Sequence, residues 1–238
     1  MPAPLTSTIR AHGLSRAAPG DTVNEDALHV DVVGGLFVVA DGLAGRPAGE
    51  VASAVAVDTV VATIGTNPSS SLAVALEHAN DSVVREAARH PRLELMAAAV
   101  TALRLHPDTG TGATVELAHA GDCRAYLQRD DQLRLLTQDH LVMRGRTRVI
   151  TKVLGRPRVV EPDAAVLPTF PGDRWVLCTD GLTKVVADDR IHELLRDAPD
   201  PVVAAGGLLD AARAATTPDD VTVIVVDVAR REANARSI

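Results

Sequence analysis

The chain has 238 residues, with 24 Lys and Arg against 31 Asp and Glu and a formal net charge of −7. That acidic balance excludes a general nucleic-acid binder, which needs a basic stripe against phosphates. No apolar run is expected to reach the ~20 residues of a membrane-crossing helix, and residues 1–13 lack the apolar stretch of a signal peptide. Aromatics are only 2% of the chain, so the core must be Val, Leu and Ala, and base-stacking platforms are not expected. Two cysteines, Cys123 and Cys178, cannot make a disulfide framework; both sit in apolar runs and read as reduced core thiols. These features predict a monomeric cytoplasmic protein with neither nucleic-acid nor membrane partners. The length suits one domain over residues 1–238, with a core at about 14–229 and loose tails at 1–13 and 230–238.

In chain order, the first predicted strands are 27–33 and 36–40, joined at Gly34-Gly35, a strong hairpin signal. Two helices follow at 48–64 and 71–89, the first rich in Ala and the second opened by Asn67-Pro68-Ser69-Ser70. Strands are then predicted at 100–105, 113–120, 124–128, 133–136, 159–167 and 174–179. Asp108-Thr109-Gly110 and Arg129-Asp130-Asp131 mark two further hairpins. A second helix pair at 188–196 and 201–215 precedes a last strand at 221–228. Consecutive hairpins and paired helices predict an α+β fold, an α-β-β-α sandwich of two antiparallel sheets flanked by helix pairs.

The acids sit at strand ends. Asp41-Gly42 and Asp180-Gly181 follow apolar strands, Gly121-Asp122 follows another, and Asp219-Asp220 precedes the last. In antiparallel sheets the end of one strand lies beside the start of its neighbour, so these acids can collect on one edge. A two-residue Gly34-Gly35 turn would pair Leu28 with Asp41 and leave Asp26 diagonal to Asp41, with Glu25 beside it. Glu25, Asp26, Asp41, Asp180 and Asp219 could then crowd one site. Like charges repel unless a cation joins them, and all-oxygen donors select Mg²⁺ or Mn²⁺. Asp-Gly after a strand is also a common turn, so the acids alone leave both readings open.

These residues resemble the metal-dependent, type 2C serine/threonine protein phosphatases, especially the small bacterial ones. The resemblance runs through Asn24-Glu25-Asp26, residues 36–53, 120–127 (AGDCRAYL), 136–140 (LTQDH), 153–155, 172–182 (GDRWVLCTDGL) and 218–226 (PDDVTVIVV). It spans nearly the whole chain in the family's order. It implies a single phosphatase-like catalytic domain with the sandwich fold and a binuclear Mn²⁺ or Mg²⁺ centre. Asp41 would bridge both metals, the Gly42 carbonyl and Glu25 would serve one, and Asp180 and Asp219 the other. Asp26 would hold the metal-bound water, and hydroxide activated by the two metals would attack a phosphomonoester of a phosphorylated protein. A third metal would use Asp122. Other readings are a phosphatase for a small phosphometabolite, and a degenerate domain that regulates a partner by binding.

Four departures accompany the resemblance. Asp21 stands where the family has a phosphate-gripping Arg, and Lys184 stands where it has an Asp for the third metal. Lys184 is therefore expected near Asp122, in the place of a third cation, leaving two tightly held metals. Met96-Ala97-Ala98-Ala99 replaces Met-Gly-Thr-Thr, and the substrate flap shrinks to residues 141–152. Arg46, at the start of the first helix, is the candidate replacement for the phosphate Arg. His119 and His140 read as satisfied, partly buried histidines. The basic run Arg144, Arg146, Arg148, Lys152, Arg156 and Arg158 reads either as a phosphate-attracting patch or as a solvated loop.

Overall fold

The computed structural model describes residues 9–43, 48–89, 91–108, 112–145, 147–156 and 160–229. One sheet has the order β1-β12-β11-β6-β7, from β1 (Ile9–Arg16), β12 (Val221–Val228), β11 (Arg174–Cys178), β6 (Arg124–Arg129) and β7 (Gln132–Leu135). The other has the order β10-β5-β4-β3-β2, from β10 (Asp163–Pro168), β5 (Thr114–Ala120), β4 (Ala98–His106), β3 (Leu36–Gly42) and β2 (Asp26–Asp31). Every pairing in both sheets is antiparallel.

Side-chain alternation then sorts the strands into three apolar layers. Phe37, Val39 and Leu103 of one sheet meet Trp175, Leu177, Ile224 and Val226 of the other in a central layer. Val38, Ala40 and Val100 face the opposite way, against helices α1 (Gly49–Thr66) and α2 (Leu72–Ala87). Val176, Val223 and Val225 face α4 (Asp188–Asp197) and α5 (Pro201–Ala214); the short α3 (Asp180–Thr183) follows β11. This is the expected four-layer sandwich. Ser71 caps α2 by accepting from the Val74 N–H at 3.3 Å, and Asp200 caps α5 from the Val203 N–H at 2.9 Å. Cys123 and Cys178 are buried free thiols.

Four local expectations are corrected. Residues 9–13, expected within a loose tail, belong to β1, which pairs along its length with β12. The first hairpin closes through Val32-Val33-Gly34-Gly35 rather than two residues, so Asp31 faces Leu36 and Asp26 directly faces Asp41. Asp31 Oδ1 accepts from the N–H groups of Val33 and Gly34 and Gly35 takes a φ of 68°, which together fix this longer turn. Residues 141–152 carry a two-stranded hairpin, β8 (Leu141–Arg144) with β9 (Thr147–Ile150). Finally, α1 has 18 residues and a mean hydropathy of 1.2, long and apolar enough to cross a membrane by length and composition. Its Ala52, Ala56, Val60 and Ile64 nonetheless pack in the protein's own apolar layer, as a core helix does.

Candidate metal centre

Antiparallel pairing brings the strand ends together at one edge of the sandwich. Asp26 opens β2, directly opposite Asp41 near the end of β3. The Gly42 N–H donates to the Glu25 carbonyl at 3.0 Å, extending that pairing by one step. From the other sheet, Thr179 directly follows β11 and Thr222 lies in β12; both hydroxyls donate to Asp26 Oδ2, at 2.9 and 2.7 Å. The two sheets are thus tied across the edge by one carboxylate. Asp220 accepts from the backbone N–H groups of Ala18 (2.7 Å) and Glu25, which seats the Glu25 segment against β12.

Electrostatics show how crowded the edge is. Asp41 is held well above the usual carboxylate range, first by burial and then by Asp26, Asp180, Asp122 and Asp219. Asp26 is pushed up to about 7 by burial, against the lowering effect of the two threonine hydroxyls. Asp122 is pushed up to about 7 by burial and Asp180, with Lys184 opposing. Glu25 is raised by burial and then by Asp220, Glu50, Asp219 and Asp21. Asp122 Oδ1 and Asp180 Oδ1 are buried with no hydrogen-bond partner among the described residues. Orphaned, mutually repelling carboxylate oxygens are what a hard dication relieves, so the donor set fits Mg²⁺ or Mn²⁺.

The structure therefore brings together Glu25, Asp26, Asp41, Gly42, Asp122, Asp180 and Asp219. Lys184 lies close enough to Asp122 to oppose its shift, as expected, and its direct contacts are to two other acids: its Nζ bridges Asp180 Oδ2 at 2.7 Å and Asp219 Oδ2 at 2.6 Å. Asp21 is exposed near Glu25 and adds to its negative surroundings. Arg46 lies outside the described residues, as do Arg146, Arg158 and the Arg148 side chain of the basic run. Lys152 pairs with Asp163. Met96 through Ala99 are buried, and the Leu43 N–H donates to the Ala97 carbonyl at 3.1 Å beside the site. Sequence reasoning missed Thr179, Thr222 and the positioning role of Asp220, because no local spacing links residues that meet only across two sheets.

His119 and His140 stack with ring centroids 4.6 Å apart, and Asp163 joins them. The Gly121 N–H donates to His140 Nδ1 at 3.0 Å, and Nε2 lies 3.2 Å from Asp163 Oδ2. Contrary to the expectation of satisfied histidines, His140 Nε2 and His119 Nδ1 are buried without a hydrogen-bond partner among the described residues. His140 also donates its backbone N–H to the Gly121 carbonyl at 3.0 Å. Through its two bonds to Gly121, His140 braces the Gly121-Asp122 corner.

A family profile described as Protein phosphatase 2C matches residues 15–206. The serine/threonine protein phosphatase PstP of Mycobacterium tuberculosis is 31% identical over 226 residues, which cover 86% of this chain and 42% of PstP. The chain thus spans less than half the length of that relative. The serine/threonine phosphatase stp of Listeria innocua is 27% identical over 216 residues, covering 81% of this chain and 84% of stp. Among solved structures, the catalytic domain of PstP in complex with two manganese ions superposes with a TM-score of 0.81 at 29% identity, covering 93% of this chain and 99% of that one. The profile covers most of the chain and the relatives agree with it: the chain belongs to the Protein phosphatase 2C family.

Proposed function

We propose that the chain is a metal-dependent protein serine/threonine phosphatase. It would act in the cytoplasm, as a monomer, on phosphoserine and phosphothreonine in proteins. Glu25, Asp41 and the Gly42 carbonyl would hold one Mn²⁺ or Mg²⁺, and Asp41, Asp180 and Asp219 a second. When bound, the dications polarise the phosphoryl group and supply a nucleophile from water at neutral pH. Asp26, with Oδ2 held by two threonine hydroxyls, orients that water and accepts its hydrogen bond. Asp41, paired in its own sheet with Asp26 on one side and Ala99 on the other, would keep the two ligand sets in register. Arg46, a few residues before Gly49 in the sequence, is assigned to the substrate phosphate on sequence grounds alone.

The observation that carries this reading is the pair of buried, unpartnered oxygens on Asp122 and Asp180 within a cluster of repelling carboxylates, in a chain of this family. The test is hydrolysis of an aryl phosphate and of a phosphothreonine peptide with Mn²⁺, beside a chelated sample. We expect turnover only with metal, and a loss of about two orders of magnitude or more in Asp180→Asn. Hydrolysis that persists in chelator overturns the reading; bound metal without turnover would leave a regulatory binding domain.

A further inference from the structure

Lys184 is the one cation bonded to the proposed ligands among the described residues. Asp180 opens α3 and Lys184 follows it by four residues, so one helical turn places the lysine back over the carboxylate. Asp219 comes from the other side, just before β12, and its Oδ2 receives the same ammonium. Asp219 is itself placed by the Thr217 hydroxyl and by its contact with the Asp220 N–H at 3.0 Å. The ammonium therefore sits on the two carboxylates that serve only the second metal, and not on Glu25 or Gly42, which serve only the first. The lysine side chain is a third exposed, so it has a way out to solvent.

We infer that Lys184 is a tethered competitor for the second metal position: a dication can use Asp180 and Asp219 together only after the ammonium has left them. This rests on the proposed phosphatase centre and adds a loading order to it. The first position, on Glu25, Asp41 and the Gly42 carbonyl, fills without displacing anything. The second fills only against an intramolecular cation whose effective concentration is fixed by the chain. A monovalent ammonium neutralises part of the repulsion but leaves Asp122 Oδ1 and Asp180 Oδ1 unpartnered, so the dication still wins at sufficient concentration. The result is a chain that responds to the level of divalent cation in two separated steps.

The test uses the full chain and Mn²⁺ alone, titrated by calorimetry. We expect two affinities in the wild type, and a tightening of the weaker one by about tenfold in Lys184→Met, with the tighter one unchanged. A second readout needs no variant. An amine-reactive reagent followed by peptide mass spectrometry should label Lys184 slowly in chelator and several-fold faster once the second Mn²⁺ is bound. Equal isotherms for both proteins, or labelling of Lys184 that does not change with metal, overturn the inference and leave the phosphatase reading standing. No Mn²⁺ binding in either protein overturns both. If Lys184→Met does not fold, Lys184→Gln and the labelling of the wild type decide.

Discussion

Asp26 receives hydroxyl bonds from two threonines of the other sheet's edge, Thr179 just after β11 and Thr222 within β12. The Thr179 hydroxyl oxygen also accepts from the Thr222 N–H at 2.9 Å, so one oxygen ties β11, β12 and the carboxylate together. Both threonines are fully buried, and no water can replace a lost hydroxyl without a rearrangement. A hydrogen bond to a charged group contributes about 1.5–3 kcal/mol, so Thr222→Val should lower kcat/KM roughly tenfold to a hundredfold. Because the hydroxyls lower the Asp26 carboxyl, their loss should also move the acid limb of the pH–rate profile to higher pH. Thr222→Ser, which keeps the hydroxyl, should restore both. A Val variant with the wild-type rate and profile would remove Asp26 from the mechanism.

At the scale of elements, the site depends on how closely α1 approaches the end of β3. A Cβ on Gly42 would lie 2.2 Å from the Gly49 carbonyl oxygen and 2.3 Å from its carbon, both backbone atoms that cannot rotate aside. Gly42→Ala must push the start of α1 away from Glu25 and should destabilise the protein by about 1–3 kcal/mol in urea titration. Val33→Ala, at the fully exposed tip of the first hairpin, should stay within about 0.5 kcal/mol. The strands β3 and β11 were legible because each is an apolar run that leads into Asp-Gly, and β12 because it is an apolar run led in by Asp219-Asp220. Asp130 and Asp131 were legible as a turn as well, and both take positive φ, at 49° and 59°. The strand β1 was not: Ile9–Arg16 mixes Arg10, His12 and Gly13 without clean alternation, and its structure comes from pairing with β12 more than 200 residues away in sequence. The hairpin register was misjudged by two residues because the Asp31 side chain satisfies two backbone donors and makes a four-residue turn preferable. Parity survived, so Asp26 kept its face. The Asp180–Lys184 contact follows helical spacing, but Asp219 could be added only by the fold.

Across the whole molecule, the cluster opposes folding when no cation is bound. Asp26, Asp41 and Asp122 hold their protons more tightly in the folded chain than in the unfolded one, where a carboxyl titrates near 4. Between that value and about 7 the folded state therefore carries more protons, and stability falls as pH rises through the window. His119 runs the other way. Burial and the neighbouring His140 push it down to about 4, so it is neutral when folded and charged when unfolded, and it favours folding as pH rises from about 4 to 6.5. Three carboxyls outweigh one imidazole, and the metal-free chain should lose thermal stability between pH 5 and 7. A dication that binds the folded form alone reverses that loss, and binds more tightly as the carboxylates ionise. The gap between melting temperatures with Mn²⁺ and with chelator should therefore widen from pH 5 to pH 7. Asp122→Asn removes one of the repelling charges and should raise the chelated melting temperature at pH 7 while changing it little at pH 5. A chelated protein that becomes steadily more stable across this range would mean that the edge carboxylates are already compensated within the chain, by Lys184 and the threonine hydroxyls, without need of a metal.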